Sequence, residues 1–216
     1  MQAVTRVLAI RHGETDWNRD GRIQGQLDIG LNATGRWQAR CLAQALADEE
    51  LFAVCSSDLA RAAQTARELA QPRGLEIVED AGLRERGFGR FEGSTFVEIE
   101  ARWPNEAARW RRRDPQFAPG GGEALVDFYA RCIAAATRLA QAHAGGSIAI
   151  VAHGGVLDCL YRAASHIALD APRSWDVPNA AINRLLYTPQ GFSLVGWGDG
   201  FHLEGRMPEA ASQVET

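Results

Sequence analysis

The sequence predicts an α/β protein with three layers, in which a mostly parallel sheet lies between two layers of helices. Two observations predict this fold class. Short apolar runs alternate with longer segments whose apolar residues recur at helical spacing, and no repeat, low-complexity segment or linker divides the 216 residues. We therefore expect a single domain over residues 1–205. Residues 206–216 are polar and are predicted to form a flexible C-terminal tail.

Six short apolar runs are predicted to be strands. The run SIAIVAH is apolar almost without interruption, which is typical of a strand buried on both faces. It is therefore expected at the centre of the sheet. The predicted strands cover residues 4–10, 52–57, 75–79, 147–153, 182–188 and 192–197.

Five segments between these strands are predicted to be helical. Thr34 and Ser57 are expected to cap the first two helices, because short hydroxyl side chains accept hydrogen bonds from helix N-termini. Pro104 is expected to break the third, since proline cannot continue a helix. The helical segments cover residues 34–49, 58–71, 94–113, 123–144 and 155–165.

Composition excludes several classes of protein. A net charge of -4 and a pI near 5.8 give no electrostatic reason to expect nucleic acid as a partner. The four cysteines lie far apart without a C-x-x-C pair, which indicates buried thiols in a reducing compartment. No basic leader and no run of membrane-spanning length occurs, so we expect a cytoplasmic protein that does not bind membranes. A homodimer is left open.

Charged and imidazole side chains follow three of the predicted strands. Arg11-His12-Gly13 ends the first strand, Arg61 lies in the first turn of the helix after the second, and His153-Gly154-Gly155 ends the fourth. In open α/β sheets, ligands bind at the carboxyl ends of the strands. A cation in the first turn of a helix opposes the helix dipole unless an anion is nearby. The pattern therefore predicts a site for an anion.

Each feature also has an ordinary structural explanation. A lone histidine at a strand end is more often a hydrogen-bonded core residue than a catalyst, and His-Gly-Gly is a common strand-to-helix turn. The conjunction of two histidines, two arginines and two glycine turns favours the functional interpretation. A metal site is rejected, because Arg11 and Arg61 would place positive charge where the ion must sit. An arginine-lined pocket suits a tetrahedral oxyanion, above all phosphate.

Five motifs in order along the chain resemble the histidine phosphatase superfamily. This superfamily includes the cofactor-dependent phosphoglycerate mutases and a branch of small-molecule phosphatases. The resemblance covers nearly the whole chain and implies a phosphoglycerate mutase-like fold. The motifs are RHGET (11–15), SSDLARAAQTA (56–66), LRERGFGRFEG (83–93), PGGGEALVDFYAR (119–131) and VAHGG (151–155).

The resemblance implies a role for each site residue. His12 corresponds to the nucleophile that becomes phosphohistidine. Arg11, Arg61 and His153 correspond to the groups that hold the phosphoryl oxygens. Glu85 occupies the position of the acid that protonates the leaving group, although on its own it could equally be a surface residue in a charged run. The substrate-binding positions implied are Asn18, Gln24 and Gly154.

The short path from Glu92 to the PGGGEA motif (119–124) resembles the phosphatase branch. The sequence therefore predicts a phosphomonoester hydrolase that acts on a small phosphorylated metabolite without a cofactor. A phosphoglycerate mutase is the alternative, and it alone would need 2,3-bisphosphoglycerate as a primer. A domain that binds phosphate ligands with little turnover is less favoured, since the expected catalytic side chains are all present.

Two tryptophans and an arginine triplet lie between these motifs. Trp103, Trp110 and Arg111 to Arg113 are interpreted first as a solvated helix end with two half-buried indoles. The alternative is a lid whose arginines contact a second anionic group of the substrate. Ala124 stands where the family usually has serine, so the helix that follows is expected to have an altered cap.

Overall fold

A six-stranded sheet organises the computed structural model, which describes residues 3–205. The tail predicted at residues 206–216 lies outside the described residues. The strands are β1 (Thr5–Arg11), β2 (Ala53–Ser56), β3 (Ile77–Glu79), β4 (Ser147–Ala152), β5 (Ile182–Thr188) and β6 (Gly191–Asp199). Their order is β3-β2-β4-β1-β5-β6, and the first four pair in parallel while β5 and β6 pair antiparallel. The mostly parallel sheet is therefore confirmed.

Seven α-helices lie within residues 3–205, and the predicted break at Pro104 is confirmed because a new helix begins there. A short helix of one turn after β1 was not predicted. Thr15 and Asn18 cap its N-terminus with a capping box. The helices are α1 (Asp16–Arg19), α2 (Ala33–Ala45), α3 (Ala60–Ala70), α4 (Phe96–Arg102), α5 (Pro104–Arg111), α6 (Leu125–Ala142) and α7 (Gly154–Ser165).

Both predicted N-caps are wrong. Asn32, not Thr34, caps α2, because its side-chain oxygen accepts a hydrogen bond of 2.8 Å from the amide of Gly35. Helix α3 begins at Ala60 after Leu59, whose apolar side chain cannot form a capping hydrogen bond. Ser57 lies two residues before the cap position, where its hydroxyl accepts from the amide of Leu59 at 3.3 Å and contacts His153 at 2.8 Å.

Helices cover both faces of the sheet, which confirms the three layers. Side chains of β1 alternate: Val7 and Ala9 pack with α6 and α7, whereas Leu8 and Ile10 pack with α2 and α3. Strand β4 alternates in the same way, and all six of its residues are buried. Burial on both faces explains why β4 is apolar almost without interruption.

A third apolar cluster lies outside the two main layers. Phe91, Ile99, Ala107 and Phe117 form its buried part, with Trp103 and Trp110 packed against it. The two half-buried indoles are thus confirmed as packing residues of this cluster. Within residues 3–205, no helix combines the length and the apolar character that crossing a lipid bilayer requires.

Candidate active site

The register of the parallel strands brings the two His-Gly motifs together. Arg11 pairs with Ala152 at the carboxyl ends of β1 and β4, and the amide of His12 donates to the Ala152 carbonyl at 2.9 Å. The residues that follow are therefore neighbours. The ring centroids of His12 and His153 lie 5.2 Å apart, although the two residues are 141 positions apart in the sequence.

His12 is buried in the neutral form with a fixed tautomer. Its Nδ1 lies 2.7 Å from the carbonyl oxygen of Gly13. Since a carbonyl can only accept, Nδ1 carries the proton and Nε2 keeps its lone pair. Burial, followed by the charges of Arg11 and Arg61, holds the pKa of His12 well below its ordinary value of 6.5.

The loop after His12 is held by close backbone packing. A Cβ on Gly13 would lie 2.5 Å from the carbonyl oxygen of Gly35 in α2, so a larger residue cannot be accommodated. The amide of Gly13 also donates to the hydroxyl of Thr65 at 3.0 Å. The Thr65 hydroxyl in turn donates to the carbonyl of Arg61 at 2.8 Å. Thr65 thus links the His12 loop to α3, and sequence reasoning missed it.

Arg61 is fully buried, and its guanidinium is anchored by backbone. It donates at 2.8 Å to the carbonyls of both Leu27 and Gly25. Burial lowers its pKa to about 10, so it keeps its charge at neutral pH. It lies in the first turn of α3, as the sequence predicted. A fixed, buried cation at this helix end is strong support for a nearby anion.

Arg11 is held in a similar way. Its Nη1 donates to the carbonyl of Val177 at 2.7 Å, while its buried Nε has no hydrogen-bond partner within residues 3–205. Burial lowers the pKa of Arg11, and Arg173 adds a smaller effect in the same direction. Buried donors are normally satisfied, so an unpaired guanidinium nitrogen fits a site for an oxyanion.

His153 lies beneath this site with both ring nitrogens engaged. Its Nδ1 accepts from Nε of Arg61 at 3.2 Å, and its Nε2 then donates to the hydroxyl of Ser57 at 2.8 Å. Burial, followed by Arg61, holds the pKa of His153 well below 6.5. Ser57 follows β2 directly, as His12 follows β1, and this common position is the signal that could have identified it.

Glu85 is positioned by two backbone amides. Its Oε2 accepts from the amide of Gly155 at 2.9 Å, and its Oε1 accepts from the amide of Arg86 at 2.8 Å. A Cβ on Gly155 would collide with this carboxyl and lie 3.0 Å from the ring of Phe128. The second glycine after His153 therefore makes room for Glu85.

These groups line a cavity of about 360 Å³. Six of the predicted site residues border it beside His12, namely Arg11, Asn18, Gln24, Arg61, Glu85 and Gly154. Asn18 uses its side-chain oxygen to accept from Thr15 and Asn179, and its amide nitrogen has no partner within residues 3–205. Gln24 is nearly buried, and its side-chain oxygen is unpaired in the same part of the chain.

His153 does not border this cavity, and the structure adds lining residues that the sequence did not suggest. The most informative is Arg173, an exposed arginine from the segment between α7 and β5. No motif marked it, because it lies in an irregular segment. Within residues 3–205, no three histidine, cysteine, aspartate or glutamate side chains are grouped closely enough to hold a metal ion.

Comparison with known proteins agrees with this fold and identifies the family. The chain matches the histidine phosphatase superfamily (branch 1) over residues 7–200. It is 38% identical over 203 residues to phosphoglycerate mutase-like protein 4 of Arabidopsis thaliana, covering 92% of this chain and 86% of that protein. It is 35% identical to the metal-independent phosphoserine phosphatase of the same plant, covering 93% and 84%.

The structural comparison gives the same result. YhfR from Bacillus stearothermophilus superimposes with a TM-score of 0.87 and 32% sequence identity, covering 93% of this chain and all of that one. The chain therefore belongs to branch 1 of the histidine phosphatase superfamily. The similar proteins in this family carry both phosphatase and phosphoglycerate mutase-like names.

Proposed function

We propose that the protein hydrolyses phosphomonoesters through a phosphohistidine formed on His12. The observation that carries this proposal is the state of His12, a neutral imidazole whose Nδ1 is held by the Gly13 carbonyl. The lone pair of Nε2 is thereby available at a cavity whose lining includes the buried guanidiniums of Arg11 and Arg61. A neutral imidazole is the form that can attack phosphorus.

Arg11 and Arg61 stabilise the phosphoryl oxygens in this proposal. Both guanidiniums are fixed by backbone carbonyls, so they need little reorganisation when charge develops on those oxygens. Gly154 contributes an amide at the N-terminus of α7, and Asn18 contributes its unpaired amide nitrogen. In the described geometry, His153 acts by orienting Arg61, and its direct contact with the phosphoryl group stays a prediction.

Glu85 acts first as acid and then as base. In the first step, Nε2 of His12 forms a bond to phosphorus, the ester P–O bond breaks, and the leaving oxygen takes a proton from Glu85. In the second step, Glu85 takes a proton from water, the water oxygen bonds to phosphorus, and the N–P bond breaks to release phosphate. The backbone contacts of Glu85 support this role, because they hold the carboxyl at the cavity edge.

The site supports a small substrate, because a cavity of about 360 Å³ lies at the low end of the range for small-molecule sites. Two of the similar proteins are named as a phosphoserine phosphatase and a phosphoglycerate mutase-like protein. Both names favour a phosphorylated hydroxy acid or amino acid as the substrate. The mutase alternative stays a prediction. An isomerisation assay on phosphoglycerate with and without 2,3-bisphosphoglycerate tests it separately.

The nucleophile is tested by trapping the intermediate. Wild-type enzyme quenched during turnover of a radiolabelled phosphomonoester should carry an acid-labile, base-stable phosphoryl group, and His12→Asn should carry none and show no turnover. His166→Asn is the matched control, since His166 is exposed, does not border the cavity and has a left-handed conformation that asparagine tolerates. Ordinary hydrolysis by the His12→Asn variant would refute the proposal.

A further inference from the structure

An irregular segment, residues 166–181, connects α7 to β5 and contacts the site through its backbone. The carbonyl of Val177 in this segment accepts from Nη1 of Arg11 at 2.7 Å. No other hydrogen bond or ion pair fixes this guanidinium within residues 3–205. The amide of Ala180 also donates to the carbonyl of Arg11 at 2.9 Å. The placement of Arg11 therefore depends on where the 166–181 segment lies.

Arginine side chains hold the first part of this segment. Arg162 of α7 donates to the carbonyls of Ala168 and Ala171. Arg113, which lies just beyond the end of α5, donates from Nε to the carbonyl of Leu169 at 2.8 Å. Because the segment belongs to neither a helix nor the sheet, these bonds satisfy carbonyls that regular structure would otherwise pair.

One carboxylate orients both of these guanidiniums. Oδ2 of Asp158 accepts from Nη2 of Arg113 at 2.7 Å and from Nε of Arg162 at 3.1 Å. The side chain of Arg162 is fully buried, and that of Asp158 is 7% exposed. Ion pairs that are shielded from water are screened little, so they hold a guanidinium firmly in one orientation. We call Asp158, Arg113 and Arg162 the Asp158 cluster.

Arg162 extends this contact along the segment. Its guanidinium carbon lies 4.8 Å from the ring centroid of Trp175, and that ring stacks on Tyr161 of α7 with centroids 4.0 Å apart. Trp175 precedes Val177 by two residues. The Asp158 cluster thus contacts the segment immediately before the carbonyl that holds Arg11.

The Asp158 cluster lies beside the site without bordering the first cavity. Arg113 and Asp158 line a second cavity, of about 460 Å³, which shares Glu85 and Arg173 with the first. Arg173 belongs to the 166–181 segment. The contacts between the cluster and the first cavity therefore run through this segment.

Left-handed backbone conformations occur in the same region. Within residues 3–205, three residues other than glycine have a positive φ, namely Arg113 at 55°, His166 at 55° and Ala180 at 56°. Arg113 belongs to the cluster, His166 begins the segment, and Ala180 lies next to its end. Such conformations cost free energy and persist only where surrounding contacts hold them. The segment is therefore held in one conformation by its contacts.

We propose that the Asp158 cluster positions Arg11 for phosphoryl transfer. Asp158 fixes the two guanidiniums, these fix residues 168–171 and Trp175, and the segment then places the Val177 carbonyl that orients Arg11. Asp158 and Arg113 are positioning residues, and neither contacts the phosphoryl group. The inference rests on the proposed function, which assigns Arg11 to the phosphoryl oxygens.

Inorganic phosphate is the probe, because its oxygens take the place of the phosphoryl oxygens at Arg11. Calorimetry gives its Kd, and kcat/KM is measured with nitrophenyl phosphate. Arg113→Ala should raise the Kd for phosphate and lower kcat/KM by about tenfold each, as for one weakened charged hydrogen bond. Arg113→Lys should restore part of both, since an ammonium can still pair with Asp158.

Arg109→Ala is the matched control. Arg109 lies in the last turn of α5, forms the same kind of ion pair with Asp114, and borders neither cavity. Its removal should leave the Kd for phosphate unchanged. Equal effects of Arg109→Ala and Arg113→Ala would overturn the proposal.

Arg113→Gly separates positioning from stability. Glycine adopts a φ of 55° without strain, so this variant should unfold at a higher temperature than Arg113→Ala. It should nevertheless bind phosphate as weakly as Arg113→Ala, because both variants lack the guanidinium. A phosphate affinity that rises with the unfolding temperature would show that the cluster only stabilises the fold.

Double variants test the route from the cluster to Arg11. Asp158→Asn should weaken phosphate binding as Arg113→Ala does, and the two together should add little, because both remove one ion pair. With Arg11→Lys already present, Arg113→Ala should change the Kd for phosphate less than about twofold. A further loss of about tenfold in that background would show that the cluster acts without Arg11.

These measurements distinguish the inference from the proposed function. If wild-type protein binds phosphate but neither hydrolyses nitrophenyl phosphate nor forms a phosphohistidine, the proposed function fails. If hydrolysis and the phosphohistidine are observed but Arg113→Ala leaves phosphate binding unchanged, only the positioning role is wrong.

Discussion

Replacing Gly155 by alanine should remove acid catalysis while leaving the nucleophile in place. The amide of Gly155 donates to Oε2 of Glu85 at 2.9 Å, and a Cβ on the same residue would collide with Oε1. Two ring carbons of Phe128 would also lie 3.0 Å from that Cβ. Because Phe128 is buried in the core, the carboxyl of Glu85 is the group that must move.

The size of the effect follows from the contribution that a positioned general acid makes to the rate. A positioned general acid contributes about 10²–10⁴-fold, so losing its alignment raises the barrier for a poor leaving group by at least about 2.7 kcal/mol. The fold should survive. Overpacking costs about 1–3 kcal/mol, and alanine in place of glycine in a helix returns up to about 1 kcal/mol. The sum is smaller than the stability of a typical domain, about 5–15 kcal/mol.

The assay compares kcat/KM for an alkyl phosphate and for nitrophenyl phosphate, whose leaving group needs no proton. Gly155→Ala should lower the ratio of the two values about 100-fold or more. Gly154→Ala is the matched control, since its Cβ would meet nothing closer than Arg11 at 3.6 Å and it keeps the helix amide. Equal losses for both substrates in Gly155→Ala would refute the acid role of Glu85.

Three further predictions concern the two buried histidines and the residues near them. Burial holds the pKa of His12 and of His153 well below 6.5, so below that pH the unfolded chain binds protons that the folded chain does not. The free energy of unfolding should therefore fall by up to about 1.4 kcal/mol per pH unit for each histidine as the pH drops below 6.5. Denaturant titrations that show no such slope would contradict the neutral state of His12 and His153. Thr65→Val removes the acceptor of the Gly13 amide and should cost about 1–3 kcal/mol of unfolding free energy, whereas Thr65→Ser should restore most of it. Ser57→Ala removes the partner of Nε2 on His153 and should lower kcat/KM about tenfold with a smaller change in stability, and an unchanged kcat/KM would show that Ser57 does not position the site.

Elements with a strong local signal could be predicted from the sequence. The apolar run of β4 and the helical spacing of α6 depend on burial of their own residues, and both elements lie where the sequence places them. Helix boundaries were less predictable. Asn32 and Thr34 are both residue types that cap helices, and the sequence alone does not choose between them, whereas α3 starts after Leu59 without any capping side chain. The short helix α1 was missed because a single turn has too few residues for a periodic pattern.

The sequence by itself determined the class of protein and the residue types at the site. Each of these side chains, His12, Arg61 and His153, follows a strand. Because parallel strands end at the same edge of a sheet, the sequence alone predicts that these three residues lie near one another. The proton positions needed the tertiary structure. They depend on which atoms lie within hydrogen-bond distance, such as the Gly13 carbonyl beside His12.

Only the tertiary structure decided the second cavity and its residues. Arg173 lies in an irregular segment and Asp158 on a helix, and neither belongs to a motif or follows a strand. Chain folding brings these two residues to the lining of the same cavity. Motifs record what the chemistry of a family requires, whereas the lining of a cavity depends on the packing of segments distant in sequence.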